Sequence, residues 1–93
     1  MKLKKFLNEL FINVPDVKND LMILRISMVA ELDAVNLYEK LAERADDEKV
    51  RKVLLDVAHE EKVHASEFET LLKELDDSYE DAEEEGEEEV ENI

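Results

Sequence analysis

Apolar side chains recur every three or four residues through most of this chain, and the recurrence predicts two long helices. Leu21, Leu24, Met28, Glu31, Val35, Tyr38 and Ala42 fall along one helical line, with neither Gly nor Pro from residue 16 to about Ala45. Asp16 or Asn19 is the expected N-cap, since a short side-chain oxygen there satisfies an amide that the first turn leaves open. The run Ala45-Asp46-Asp47-Glu48 offers two more such caps in succession and predicts a turn. A second line follows through Val50, Leu54, Val57, Glu61, His64, Phe68, Leu71 and Leu75. The expectation is an all-α fold in which residues 16–75 form an antiparallel two-helix hairpin.

Both flanks of the hairpin differ from it. Residues 1–15 read as an N-terminal arm or short helix: Phe6, Leu10, Phe11 and Val14 recur at helical spacing, and Pro15 pushes Val14 out of the helical region. Such an arm is expected to dock on something apolar. Residues 76–93 are low in complexity, acidic and poor in apolar anchors, the composition of a segment that gains too little burial to offset its ordering entropy. A flexible acidic tail or linker is predicted there.

Each line is apolar except where Glu31, Glu61 and His64 interrupt it. Counted from a turn between Asp46 and Asp47 at about 1.5 Å per residue, Glu31 lies roughly 23 Å along one helix and Glu61 roughly 22 Å along the other. His64 stands one turn beyond Glu61 on the same face. Two carboxylates and an imidazole sharing an apolar layer carry a desolvation cost of several kcal/mol per uncompensated charge, which a bound cation removes. Oxygen donors with one imidazole suit iron or manganese. A carboxylate-bridged metal pair in a four-helix bundle takes a lone Glu from two helices and Glu-x-x-His from the other two. This chain has one of each, so a twofold pair of hairpins supplies the set, and the donor count predicts a homodimer.

Charge and composition narrow the partners. The net charge is −15, and eleven of the 27 acidic residues lie between Asp76 and Glu91 with no base among them. A surface of this sign disfavours nucleic acid and anionic membranes and favours cations. Cysteine is absent, which excludes disulfides and thiolate-ligated metal in this sequence. Asn8, Glu9 and Asn13 interrupt the apolar start, so no signal peptide is read, and no run approaches the roughly twenty apolar residues of a membrane span. A soluble protein is expected.

On these residues the chain resembles a known family. Glu31-Leu-Asp-Ala-Val-Asn-Leu-Tyr38, followed by Glu60-Glu61-Lys-Val-His64, is similar to the ferritin-like superfamily and within it to the encapsulated ferritins, over roughly residues 20–75. The resemblance implies a hairpin that dimerises into a four-helix ferritin-like bundle and assembles further into a ring of dimers. It implies a ferroxidase that oxidises Fe(II) with O2 at a di-iron site, two ions per dimer, with Glu31, Glu61 and His64 as ligands and Tyr38 beside them. The implied setting is cytoplasmic, inside an encapsulin nanocompartment whose shell protein is a partner. Ala30 and Leu37 depart from the family pattern, where a further acid and a tryptophan often stand, and Asp33 is the acid left nearby.

Other residues carry weaker signals. Tyr38 serves equally as a core aromatic or as a hydrogen-bond donor to a ligating carboxylate. His59 falls off the line and reads as a surface residue, while Glu60 and Asp33 read as a solvated face. Ile23, Ile26, Val29, Leu37 and Leu41 make the first helix apolar beyond its line, which predicts a second protein interface. Two functions compete with a ferroxidase: a rubrerythrin-like peroxidase, which needs an external electron donor, and a non-enzymatic metal-binding helical scaffold or cargo protein.

Overall fold

The computed structural model describes residues 19–93. Three helices follow in order: α1 (Asp20–Arg44), α2 (Glu48–Leu75) and α3 (Tyr79–Glu91). The described residues contain no strand. The arm expected over residues 1–15 lies outside the described residues.

Local capping sets the hairpin's ends. Asn19 is extended, and its Oδ1 accepts from the Leu21 amide at 2.8 Å, so of the two candidate caps for α1 it is Asn19 that serves. Asp47 caps α2 by accepting from the Val50 amide at 3.0 Å, with Glu48 adding negative charge at the positive helix end. The connection between α1 and α2 is therefore only three residues long, which makes the helices antiparallel neighbours.

The α1 line packs as its pattern predicts: Leu24, Val35 and Ala42 are buried, with Met28, Glu31 and Tyr38 half-buried between them. The α2 line does not. Its buried residues are Ala58, Ala65 and Leu72, spaced by sevens, with Leu54, Glu61 and Phe68 half-buried alongside. The expected line through Val57, His64 and Leu71 sits one position to the side; Val57 and His64 are half-buried, and Val50, Leu71 and Leu75 are exposed. The reason is steric. Two alanines at 58 and 65 let the α1 backbone approach closely, and larger side chains on that contact would hold the helices apart.

This rotation gives the hairpin two unlike broad faces. On one, Lys62 Nζ bridges from α2 to Glu39 of α1 at 3.2 Å, Arg25 reaches Asp76 beyond the end of α2 at 3.4 Å, and Leu32 and Leu55 stand exposed among these charges. On the other, Ile23, Leu41, Val50, Leu71 and Leu75 stand exposed. Helical spacing puts His64 on this second, apolar face, about half a turn around α2 from Lys73.

Residues 79–91 are helical where the acidic composition predicts a flexible tail. Its side chains explain the helix only in part: none is buried, Glu80 and Asp81 favour the N-terminal end, and Glu88 and Glu89 oppose the C-terminal one. Anchors at its base supply the rest. The Tyr79 hydroxyl donates to Glu69 Oε2 at 3.4 Å, and Lys73 Nζ pairs with Glu83 Oε2 at 2.9 Å. In the connection the Asp76 carboxylate accepts from both the Ser78 amide, at 3.0 Å, and the Ser78 hydroxyl, at 2.7 Å. These anchors lie on the ion-paired side, so α3 leaves the apolar face uncovered.

Candidate metal centre

Glu31 comes from the middle of α1, and Glu61 and His64 from the middle of α2 one turn apart, so three polar side chains meet at half the hairpin's height. Each offers a ligand atom, and these atoms all lie within 4.8 Å of one another. His64 Nδ1 is 3.5 Å from Glu31 Oε2 and 3.7 Å from Glu61 Oε1. Both separations exceed a good hydrogen bond and suit donors arranged around a common point. All three residues are half-buried.

Electrostatics single out Glu31. Its Oε2 is shut away from water with no hydrogen-bond partner, an arrangement that costs free energy unless a cation or donor reaches it. Burial raises the Glu31 pKa above its ordinary value, the neighbouring Glu61 carboxyl raises it further, and His64 opposes both. Two acids competing for one imidazole is an unbalanced set. A divalent or trivalent ion between them balances it, and the donor chemistry fits iron or manganese.

The cluster is also lopsided. The carboxylate side chains of Glu31 and Glu61 are 20% exposed, whereas the His64 ring is 45% exposed because α2 is rotated toward the apolar face. Three donors leave several positions of an oxygen-preferring ion unfilled, and the open side is the side from which His64 projects. Among the described residues this is the sole group of three or more potential ligands within reach of one ion.

The remaining candidates separate from the cluster. Tyr38 is half-buried two turns along α1, and no hydrogen bond joins its hydroxyl to Glu31, Glu61 or His64. His59, Glu60 and Asp33 are exposed, as their places off the lines predict. What the sequence pattern missed is the Lys73, Glu69, Tyr79 and Glu83 network at the base of α3. The i,i+4 spacing of Glu69 and Lys73 was its one local signal.

The chain is similar to several known proteins over most of the described residues. Residues 22–92 match the rubrerythrin family. Over 63 residues the chain is 59% identical to a ferritin-like–encapsulin shell fusion protein of Pyrococcus furiosus, a match that spans 67% of this chain and 18% of that protein. It is 40% identical over 53 residues to an encapsulin nanocompartment cargo protein of Myxococcus xanthus, spanning 57% of this chain and 41% of that one. The chain thus covers less than half the length of either curated relative. The crystal structure of the encapsulated ferritin domain from Pyrococcus furiosus superposes with a TM-score of 0.79 at 45% identity, covering 92% of this chain and 91% of that one.

Proposed function

The chain belongs to the rubrerythrin family of ferritin-like proteins, and from that premise we propose that it is a ferroxidase whose di-iron site forms when two copies meet. The observation that carries the proposal is the buried, unpartnered Glu31 Oε2 at the centre of a three-donor cluster that faces an uncovered apolar surface.

Fe(II) is the substrate: it gives up an electron to O2 and leaves as Fe(III) for storage. The chain's own residues bind and orient. Glu31 and Glu61 hold the ions from opposite helices through carboxylate oxygens, and His64 offers Nδ1, the ring nitrogen already turned toward both acids. Two copies bring four carboxylates and two imidazoles to two ions, the donor set of di-iron helical bundles. The hydroxyl of Tyr38 is proposed to donate to a ligating carboxylate once the bundle is closed. The apolar face around the cluster excludes water and strengthens the attraction between carboxylates and metal.

The names of the relatives, a shell fusion and a nanocompartment cargo, support a wider proposal, enclosure in an encapsulin shell in the cytoplasm; the ring of dimers implied by the sequence resemblance is proposed with it. No helix among the described residues is long and apolar enough to cross a membrane. The rubrerythrin match raises a second reading, a peroxidase that uses the same ions against hydrogen peroxide. It requires an electron donor from outside this sequence, which has no cysteine to hold a thiolate-ligated iron.

The test mixes the chain with Fe(II) in air and follows Fe(III) absorbance and oxygen consumption. The wild type is expected to outpace buffer, and Glu31→Ala or His64→Ala to fall by at least about tenfold while helix content holds. An unchanged rate in either variant overturns the proposal. Metal-dependent dimers that consume no oxygen favour the scaffold reading, and turnover with peroxide alone favours the peroxidase.

A further inference from the structure

Helix α3 is an arm with one bare apolar stripe. The described residues extend over 45 × 41 × 21 Å, so a helix of 13 residues, about 20 Å long, projects sideways from the hairpin instead of lying along it. Tyr79, Ala82, Gly86 and Val90 follow steps of three and four, with Ile93 just past the helix end, and the other nine residues of Tyr79–Glu91 are all acidic. Val90 is 69% exposed, and a side-chain carbon added at Gly86 would meet nothing within 4 Å. The smallness of Gly86 therefore serves no close contact within the chain.

The ion-paired side of the hairpin is the surface that fits such an arm. Helical spacing puts neither Lys nor Arg on the metal-bearing face, whereas Arg25, Arg51, Lys52 and Lys62 share the ion-paired side with exposed Leu32 and Leu55. Near the turn, Ala42, Arg51 and Leu55, with Glu39 and Glu43, line a hollow of about 420 Å³. We propose that α3 of one copy lies on the ion-paired side of a second copy, its apolar stripe over Leu32 and Leu55 and its carboxylates among the cations.

Charge selects this surface over the alternatives. A second α3 has nine acids and no base, and the open end of the metal-bearing face presents Asp20 and Glu74 beside Leu71 and Leu75, so both repel the arm. Geometry agrees with charge. The contacts of Tyr79 with Glu69 and of Glu83 with Lys73 hold the base of the arm to the ion-paired side, at the end of the hairpin away from the turn. Two hairpins set antiparallel, ion-paired sides facing, bring the open end of each to the turn of the other, and the arms are exchanged about a twofold axis. With the metal-bridged pair proposed for the other face, each copy then has two distinct contacts, which assembly beyond a dimer requires.

The arm contact needs no metal, so its test is run in chelator, and its failure is separable from failure of the ferroxidase reading. The chain has no cysteine, and two single variants of the full chain, Val90→Cys and Leu55→Cys, are mixed under mild oxidation. Their mixed disulfide, identified by mass, is expected to form at least about tenfold faster than that of Val90→Cys with Leu71→Cys, a similarly exposed position on the metal-bearing face. Arg51→Glu combined with Lys62→Glu removes ion pairs that are exposed and contribute little to folding, and is expected to slow the Leu55 product by at least about tenfold. Equal rates at Leu55 and Leu71, or a rate untouched by the charge reversal, overturn the proposal. A double variant, Val90→Cys with Leu55→Cys, is expected to link separate chains; closure within single chains overturns the proposal as well.

Discussion

Glu31 holds the sharpest conflict in the hairpin. One of its oxygens is buried and unpartnered, the Glu61 carboxyl stands beside it, and His64 alone compensates. Removing the charge relieves the metal-free chain and harms the metal-bound one. Glu31→Gln is therefore expected to leave the melting temperature in chelator unchanged or raised, by up to about 1 kcal/mol of stability, while weakening metal binding at least tenfold. Thermal denaturation in chelator and a metal titration check the two halves; a large loss of stability without metal contradicts this account of Glu31. Asp76 is the opposite case. The Ser78 hydroxyl, the Ser78 amide and Arg25 all favour its ionised form and lower its pKa below 3.8. A lowered carboxyl pKa adds stability that is fully present above 3.8 and is lost as pH falls through the folded value. The difference in α3 amide exchange between wild type and Asp76→Asn is expected to be largest above that pH and to vanish below the folded value.

At the scale of elements, α2 is decided by its alanines. Ala58 is 2% exposed at the contact with α1, so Ala58→Leu is expected to force the helices apart and destabilise the hairpin by about 1–3 kcal/mol in denaturant unfolding. The caps at Asn19 and Asp47 and the α1 line were legible in the sequence because capping is local and α1 has one dominant line through Glu31. The α2 contact was not. Val57, His64 and Leu71 are as well spaced as Ala58, Ala65 and Leu72, and periodicity cannot say which of two adjacent lines faces the same chain and which faces outward. The cluster was legible despite this, because Glu61 lies close to both lines and Glu31 is level with it. Helix α3 was missed for another reason: counting apolar anchors overlooks the helix propensity of Glu and Ala and the tether from Lys73 to Glu83. With no buried side chain, α3 is expected to exchange its amides faster than the middles of α1 and α2, and Lys73→Ala to speed it further.

For the whole molecule the division into faces matters most. Ion pairs from Arg25, Glu39, Lys62 and Lys73 occupy one side, together with α3, while the side bearing His64 keeps exposed Ile23, Leu41, Val50, Leu71 and Leu75. In the proposed dimer, a metal that needs more donors than one chain offers and an apolar surface that needs covering are satisfied by the same event. Metal binding and self-association are thus expected to be linked, each strengthening the other. Native mass spectrometry during an anaerobic Fe(II) titration tests this most directly. The account predicts that iron appears in complexes of even chain number, two ions for every two chains, and that His64→Ala abolishes both the iron and the metal-dependent association. Iron held one-to-one by single chains, with no change in their association, would contradict it.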